Sequence, residues 1–384
     1  MTIDAEIDTI TNGIHDVYSE HPNESELKFR DAPVKQSLIK EGVNDMGFLK
    51  NSLHTALVNA PEGVWHCAET ILKEKTSPDT VELYSMERYA RYLLKHFDKA
   101  WEQVTRNRKA MVIETGEFGY TYLNVAYLNN MITLIFYSMY KGCVPVIRIN
   151  QDKPQDNKWD WYFLQPSEVM HTDIAAFERI PCDVRNLDLR PTMQMVHAPK
   201  KNWKYQFFKL LFRKFVCLNE KTSAYIQNEI HTIGDPSRML GVLMRGTDYV
   251  KLRPKGHPVQ PEPEEIVSEA AKRFNKGAYT ATYVATEEKR LFDMVASAVG
   301  SENVRENKRK YYDAIYHQSG EDLIGKVRFD RENDNYWKGL EYLSSMIILS
   351  KCRTLVAGNC GGTLFAMLMS DNYTDPHIFN YGIY

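Results

Sequence analysis

The sequence predicts an α/β protein with two domains that face a cleft, preceded by a helical N-terminal extension. Three observations support this prediction. The chain has 384 residues, more than one ordinary hydrophobic core accommodates. From residue 111 onward, short apolar runs alternate with amphipathic stretches, which is typical of parallel sheets with helical connections. Before residue 111, apolar residues recur at helical spacing instead.

The N-terminal domain is predicted to span residues 1–236, of which 1–110 form the helical extension. Within this extension, Ser77 fits a helix N-cap and Pro78 fits the first helical position. The α/β part begins with the strand "MVIE", a glycine loop, a helix from Tyr120 to Lys141 and the strand "VPVIRI". This order of strand, loop, helix and strand indicates a parallel sheet.

The C-terminal domain is predicted to span residues 237–384, directly after the turn "GDPSR". The strands "MLGVLM", "YTATYVAT" and "RTLVA" alternate with helical stretches, and "HIFNYGIY" is predicted as the last strand. The segment "GNCGG" is predicted as a loop that feeds the next helix. Because loops at the carboxyl ends of parallel strands face the cleft, we expect the functional site there.

Composition excludes several classes of protein. The formal net charge of −2 argues against a general nucleic-acid binder, which would be strongly basic. The six cysteines form no C-x-x-C pair and no cluster with zinc-ligand spacing. They lie among apolar neighbours and are predicted to be reduced thiols of a cytoplasmic protein. The polar, acidic segment after Met1 does not resemble a secretory signal.

The predicted loops after the strands contain polar residues that are unusual in a hydrophobic core. These segments are Thr115–Gly119, Arg245–Pro261, Thr286–Glu288 and Gly358–Gly362. Glycine loops that run into helices expose backbone N–H groups, which suit phosphate. A planar guanidinium such as that of Arg245 suits a diphosphate. No G-x-G-x-x-G or Walker A sequence is present, so a dinucleotide-dependent dehydrogenase and a P-loop NTPase are not expected.

Three stretches of the C-terminal half resemble the donor-domain motifs of the fucosyltransferase superfamily. They are "GVLMRGTDY", "YVATEE" and "LSKCRTLVAGNCGGTLFAML". The superfamily includes α1,2-, α1,6- and protein O-fucosyltransferases and bacterial nodulation fucosyltransferases. Its first motif, H-x-R-R-x-D, retains here the first arginine, Arg245, and the aspartate, Asp248. Leu243 stands for the histidine and Gly246 for the second arginine.

The second and third motifs and an upstream loop extend the resemblance. Residues 285–288 resemble the A-T-D-D motif, and residues 359–363 resemble a small-residue loop that opens a helix. Upstream, "ETGEFGYTYL" is similar to the N-terminal glycine loop of these enzymes. The resemblance covers roughly residues 110–384. It implies a GT-B fold with two Rossmann-like domains. It also implies an inverting, metal-independent transfer from a nucleotide sugar, with GDP-fucose as the expected donor.

The resemblance also assigns roles to individual residues. Arg245 is expected to hold the diphosphate, and Glu117 to act as the base, with Asp248 as the second candidate. The expected donor-binding residues are Gly116, Gly119, Arg245, His257, Thr286, Asn359, Gly361, Gly362 and Thr363. No cofactor or metal is expected, and the sequence contains no Asp-x-Asp pair. Structural alternatives remain for these residues. Arg245 could form a salt bridge at a domain interface, and Asp248 could cap a loop. Glu117 could be a solvated loop residue, and His257 could be only hydrogen-bonded.

A basic segment suggests where the protein would encounter its acceptor substrate. Residues 199–215, "PKKNWKYQFFKLLFRKF", contain six Lys or Arg and no acid. This pattern is typical of a helix that rests on anionic lipid, where a lipid-linked oligosaccharide or other glycan acceptor would lie. An ordinary helix with a solvated lysine face gives the same pattern.

Two other functions remain open at this point. The same fold would serve an enzyme that uses or epimerises another nucleotide sugar. A non-catalytic nucleotide-sugar-binding or scaffold protein would also fit, because the first motif is altered at two positions. Release of the nucleotide in the presence of acceptor distinguishes an enzyme from a binder.

Overall fold

The computed structural model describes residues 78–114, 123–149, 157–182, 189–246, 252–313, 327–371 and 373–384, together with Val58, Glu69 and Ile315. The chain divides into two compact units, Met1–Phe97 and Asp98–Tyr384. The division falls within helix α1 (Pro78–Arg106), beside a non-helical residue at His96. The described part of the predicted extension is therefore mainly helical, but it ends earlier than residue 110, because the first strand already begins at Lys109. The two sheets belong to the second unit.

The first sheet has three parallel strands in the order β2-β1-β3. They are β1 (Lys109–Glu114), β2 (Val144–Arg148) and β3 (Glu178–Pro181). The four inner residues of β1 are buried, as expected for a strand covered on both faces. The strand β3 was not predicted, because it is exposed and polar and carries no apolar run.

Helix α2 (Val125–Tyr140) links β1 to β2 and is buried along most of its length. The side chain of Asn124 accepts a hydrogen bond from the amide of Tyr127 at 3.1 Å and caps the helix. This confirms the predicted buried helix, although it begins later than expected. Within the described ranges, no helix is long and apolar enough to cross a membrane.

A short helix, α3 (Pro166–Val169), lies between β2 and β3, and two helices follow the first sheet: α4 (Trp203–Phe215) and α5 (Glu220–Ile233). The apolar face of α4 is fully buried. Its Phe207 ring lies 5.0 Å from Phe136, and its Phe212 ring lies 5.8 Å from Phe365. The basic amphipathic pattern of 199–215 is therefore that of a core helix with charged residues on its outer face. Insertion of this apolar face into lipid is ruled out.

The second sheet has five parallel strands in the order β6-β5-β4-β7-β8. The strands are β4 (Met239–Leu243), β5 (Ala281–Ala285), β6 (Val304–Arg305), β7 (Thr354–Gly358) and β8 (His377–Phe379). The helices between them are α6 (Pro263–Lys276), α7 (Lys289–Val299), α8 (Asp334–Lys351) and α9 (Gly361–Met369). Along the chain, β4 is followed by β5 and β6 on one side of β4, and then by β7 and β8 on its other side.

This strand order is that of a Rossmann-like sheet, and its switch point lies between β4 and β7. Residues of β4, β5 and β7 are completely buried, which explains their continuous apolar sequences. The predicted α/β class with two parallel sheets is confirmed, as a GT-B fold requires. Each predicted domain contains one sheet, and the boundary near residue 236 stays a prediction.

Candidate functional site

A cavity of about 1100 Å³ lies at the carboxyl ends of β4, β5 and β7. Ligands of open α/β sheets bind at this position, outside the switch point. The first turn of α2 and residues 190–194 also line the cavity. Five basic residues line the cavity: Arg190, Arg245, Arg309, Lys310 and Lys338. Two acids, Glu287 and Glu341, also line it, so the wall is basic overall.

Arg245 leaves the end of β4 and forms an ion pair through Nη1 with Oε2 of Glu287. Glu287 follows β5, the neighbouring strand, so the pair joins two adjacent strand ends. The side chains are 29% and 23% exposed, which leaves both reachable from the cavity. Arg245 therefore lies where the sequence predicted it, but it already has an acidic partner.

The first turns of α2 and α9 both line the cavity. Neither first turn contains an acidic residue, and no side chain caps α9. The positive ends of two helix dipoles thus meet the same space, which favours an anion. A Cβ on Gly361 would overlap Cγ1 of Val125 and lie 3.4 Å from its Cβ, so only glycine allows this approach.

The predicted loop "GNCGG" is shorter than expected, because α9 already begins at Gly361. Gly361 and Gly362 line the cavity from within the helix, as donor-binding candidates should. Thr363 does not: it is fully buried, and its hydroxyl donates to the carbonyl of Gly358 at 2.6 Å. Its observed role is to fix the turn between β7 and α9.

Asn359 is buried beneath the cavity wall and is not among the lining residues. Its Nδ2 lies 2.9 Å from Nε2 of His197, and its carbonyl accepts from Gln260 Nε2 at 2.8 Å. Its Oδ1 is buried and has no partner among the described residues. His197 is an exposed residue, but partial desolvation of its ring lowers its pKa, which favours the neutral ring beside the amide.

Thr286 and His257 line the cavity as predicted. Thr286 is 3% exposed, and its carbonyl accepts from Nη1 of Arg309. His257 lies in a loop that pairs with residues 382–384. The amide of Tyr384 donates to His257 O at 2.9 Å, and the amide of Val259 donates to Gly382 O at 3.0 Å. The C-terminal segment therefore fixes the backbone around His257.

Gly246, at the position of the second motif arginine, lies against a buried carboxylate. A Cβ at this position would lie 2.6 Å from Cδ of Glu288 and 3.0 Å from Cδ1 of Leu291. Glu288 is only 5% exposed. An arginine at 246 would therefore require Glu288 to move.

Four predicted site residues, Gly116, Glu117, Gly119 and Asp248, lie outside the described residues. The assignment of a base consequently stays a prediction. In the part of the chain that the structure describes, no group of three or more His, Cys, Asp or Glu side chains could hold a metal ion.

Sequence reasoning missed several lining residues, including Arg190, Arg309, Lys338 and Glu341. Lys338 is fully buried and lies 3.3 Å from Asp334 Oδ2. Burial lowers the pKa of Lys338, and the carboxylate of Asp334 opposes this effect. Glu341 is paired with Arg331. None of these residues belongs to a short sequence motif. Contacts between segments that are far apart in the sequence bring them to the cavity, so no local signal could identify them.

No family model and no curated protein matches this sequence. Among solved structures, the chain is similar to a NodZ α-1,6-fucosyltransferase soaked with GDP-fucose. The sequences are 15% identical, the match covers 68% of this chain and 92% of that one, and the TM-score is 0.40. It is also similar to NodZ from Bradyrhizobium, with 14% identity, coverage of 68% and 93%, and a TM-score of 0.39. For POFUT1 in complex with GDP-fucose, the identity is 7%, the coverage is 71% and 98%, and the TM-score is 0.43.

Proposed function

We propose that this protein is a glycosyltransferase that transfers a deoxyhexose, fucose from GDP-fucose, to a glycan or lipid-linked oligosaccharide. One observation carries the proposal: two helix N-termini and a set of basic side chains converge on one cavity at the switch point of a Rossmann-like sheet. A nucleoside-diphosphate sugar carries its negative charge on the diphosphate, between the nucleoside at one end and the sugar at the other. The cavity volume of about 1100 Å³ suits a ligand of that size.

The choice of donor rests on the sequence motifs. Arg245, Thr286, Gly361 and Gly362 come from the three motifs that resemble those of fucosyltransferases, and all four line the cavity. Motif residues that are far apart in the sequence thus contribute to one wall. The altered positions, Leu243 and Gly246, lie beside the diphosphate candidates, so they bear on how the donor is held.

The proposed reaction is an inverting transfer that needs no divalent cation. Negative charge grows on the leaving diphosphate as the glycosidic bond breaks. Guanidinium groups and the first-turn amides of α9 supply the stabilisation that a metal supplies in other transferases. Activity should therefore persist in EDTA. Loss of activity in EDTA with recovery on addition of Mn²⁺ would contradict this part of the proposal.

The proposed base is Glu117, which would accept the proton of the acceptor hydroxyl. A Glu117→Gln variant should then lose about 10²- to 10⁴-fold in kcat with little change in GDP affinity, the usual contribution of a general base. An unimpaired variant would leave Asp248 as the candidate. We propose a cytoplasmic location, in line with the cysteine pattern.

The test of the donor is a panel of GDP-, UDP-, dTDP- and CMP-sugars in thermal denaturation. A ligand at about 100 times its Kd adds about 2.7 kcal/mol to the free energy of unfolding, so the preferred nucleotide is readily identified. Release of free GDP that depends on added acceptor then identifies an enzyme. Stabilisation by GDP-fucose without any release would favour a nucleotide-sugar-binding protein instead.

A further inference from the structure

Arg309 lines the cavity as a guanidinium held only by neutral acceptors. Its Nη1 donates to the carbonyl of Thr286, and its Nη2 donates to Oγ of Ser345 and to Oδ1 of Asn307, the latter at 3.2 Å. Among the residues that the structure describes, no carboxylate forms an ion pair with it, and its Nε is buried without a partner. A partly buried charge without a counterion is costly, so this position favours an anionic ligand.

The acceptors that hold Arg309 are themselves fixed. Asn307 is 1% exposed, and its Oδ1 also accepts from the hydroxyls of Tyr283 at 2.6 Å and Ser345 at 3.0 Å. Its Nδ2 donates to the carbonyl of Glu341 at 3.2 Å. The guanidinium therefore rests on a buried polar network that joins β5, α8 and the segment after β6. A network of this kind fixes the direction of a side chain before any ligand binds.

Arg309 and Arg245 are anchored on consecutive residues. The carbonyl of Thr286 holds Arg309, and the carboxylate of Glu287 holds Arg245. Both guanidiniums line the same cavity, yet they differ in charge balance. The charge of Arg245 is compensated by Glu287, whereas the charge of Arg309 is not compensated in the described part of the chain.

Position 246 explains why a second cation would come from elsewhere in the chain. The motif that contains Arg245 has glycine where its relatives have a second arginine. Glu288 occupies the adjacent space, since a Cβ on residue 246 would lie 2.6 Å from its Cδ. A guanidinium at position 246 would therefore require Glu288 to move, whereas the guanidinium of Arg309 already lines the cavity.

We propose that Arg309 supplies the second guanidinium that binds the donor diphosphate, in place of the arginine that position 246 lacks. This inference rests on the proposed function, because it requires a diphosphate ligand. Two guanidiniums that line one cavity place two positive charges beside a diphosphate, which one side chain does not. Arg309 contributes binding through its charge, and its direction is set by Thr286, Asn307 and Ser345.

The test compares three probes in calorimetric titrations: GDP, inorganic pyrophosphate and guanosine. An Arg309→Gln variant removes the charge but keeps an amide that can donate to the same acceptors. We expect its affinity for GDP and pyrophosphate to fall about 10- to 100-fold, the contribution of a charge-assisted hydrogen bond. Guanosine affinity should not change. An Arg309→Lys variant should recover part of the loss, because the charge returns without the planar fork.

The matched control is Arg305→Gln. Arg305 lies in the same segment and is also held by carbonyls, those of Glu302 at 2.7 Å and Val304 at 2.8 Å, but it does not line the cavity. This variant should bind all three probes like the wild type. A purely structural role of Arg309 predicts an equal loss for all three probes and no rescue by lysine, and that result would overturn the inference.

The outcomes also separate this inference from the proposed function. If the wild type binds GDP and the Arg309→Gln variant binds it equally well, Arg309 is not a diphosphate ligand and the proposed function stands. If the wild type binds neither GDP nor pyrophosphate, both fail. Circular dichroism of each variant confirms that it is folded before titration. If the glutamine variant does not fold, the lysine variant alone decides, since a diphosphate ligand predicts a weaker but selective loss.

Discussion

Gly246 and Glu288 lie so close together that no side chain fits at position 246 in the present arrangement. The nearest atoms belong to a buried carboxylate on the one side and to Leu291 on the other. The glycine at position 246 and the glutamate at position 288 are thus parts of one packing arrangement. Each residue is compatible with the fold because of the other.

A Gly246→Ala substitution should destabilise the protein. The added methyl group displaces Glu288 or Leu291, and overpacking of this kind costs about 1–3 kcal/mol in the free energy of unfolding. Adding Glu288→Ala should remove much of this penalty, so the double variant should be more stable than the sum of the single changes predicts. Urea denaturation of the three variants and the wild type measures this coupling. Strict additivity would contradict the proposed contact.

The pairing of Arg245 with Glu287 predicts opposite effects of the two residues on donor binding. An Arg245→Ala variant should lose about 2.7–4 kcal/mol in kcat/KM, the scale of one transition-state donor. A Glu287→Gln variant should bind GDP more tightly than the wild type, since Arg245 then has no competing carboxylate. Arg245→Lys should recover only part of the loss.

The control for this pair is Asp293→Asn, which breaks an ion pair with Lys289 on α7 outside the cavity. Its GDP affinity should equal that of the wild type. Titration calorimetry gives the affinities, and melting temperatures show whether each variant is folded. A stable Arg245→Ala variant with normal GDP affinity and turnover would end the assignment of Arg245 to the diphosphate. Weaker binding by Glu287→Gln would mean that the carboxylate itself contacts the ligand.

Much of the fold followed from local patterns. The strands β1, β2, β4, β5 and β7 were predicted from their apolar runs, because strands covered on both faces need continuous apolar residues, although their ends differ from the prediction by one or two residues. The last strand, predicted over 377–384, is shorter, because β8 ends at Phe379. The edge strands β3 and β6 had no such signal: β3 is exposed, and β6 contains two residues. A local sequence pattern does not reveal a strand that forms only because a neighbouring strand supplies its hydrogen-bond partners.

The site was only partly predictable for a related reason. Arg245, Thr286, Gly361 and Gly362 were identified because they follow strands and resemble motif residues. Arg309 stands in a polar segment with no motif, and only the buried network around Asn307 brings it to the cavity. Thr363 matched the third motif, yet the register of α9 turns its hydroxyl toward Gly358. Sequence spacing alone does not determine that register.

Mild acid should destabilise the protein through His197. The residue is exposed, but partial desolvation of its ring holds its pKa below the ordinary 6.5. The unfolded chain therefore takes up a proton at slightly higher pH than the folded chain, and the effect on stability is small because solvent screens the ring. The free energy of unfolding therefore falls as the pH drops through 6.5 and levels off below the folded pKa. Urea denaturation at about pH 7.5, 6.5 and 5.5 tests this, because a His197→Gln variant should lose less stability across the range. Equal losses in both proteins would contradict the role of His197.

The outer face of residues 199–215 allows an electrostatic contact with anionic vesicles, although its apolar face is buried. Lys200 and Lys201 are exposed, and Lys204 is half-buried. If this face meets a membrane, the protein should co-sediment with phosphatidylserine vesicles at low salt and be released at high salt. Changing the three lysines to glutamate should abolish sedimentation and leave GDP affinity unchanged. If the wild-type protein does not co-sediment with the vesicles, the lysines of residues 199–215 form an ordinary solvated helix face.

Helix α4 joins the two sheets. Its Phe207 packs on α2 and its Phe212 on α9, and the hydroxyl of Tyr205 donates to the carbonyl of Met367 at 2.7 Å. The two helices whose first turns line the cavity are therefore held against the same third helix. A hinge that parts the sheets to admit a ligand would have to break this aromatic packing. Opening the cavity by such a motion would therefore expose buried aromatic rings to water.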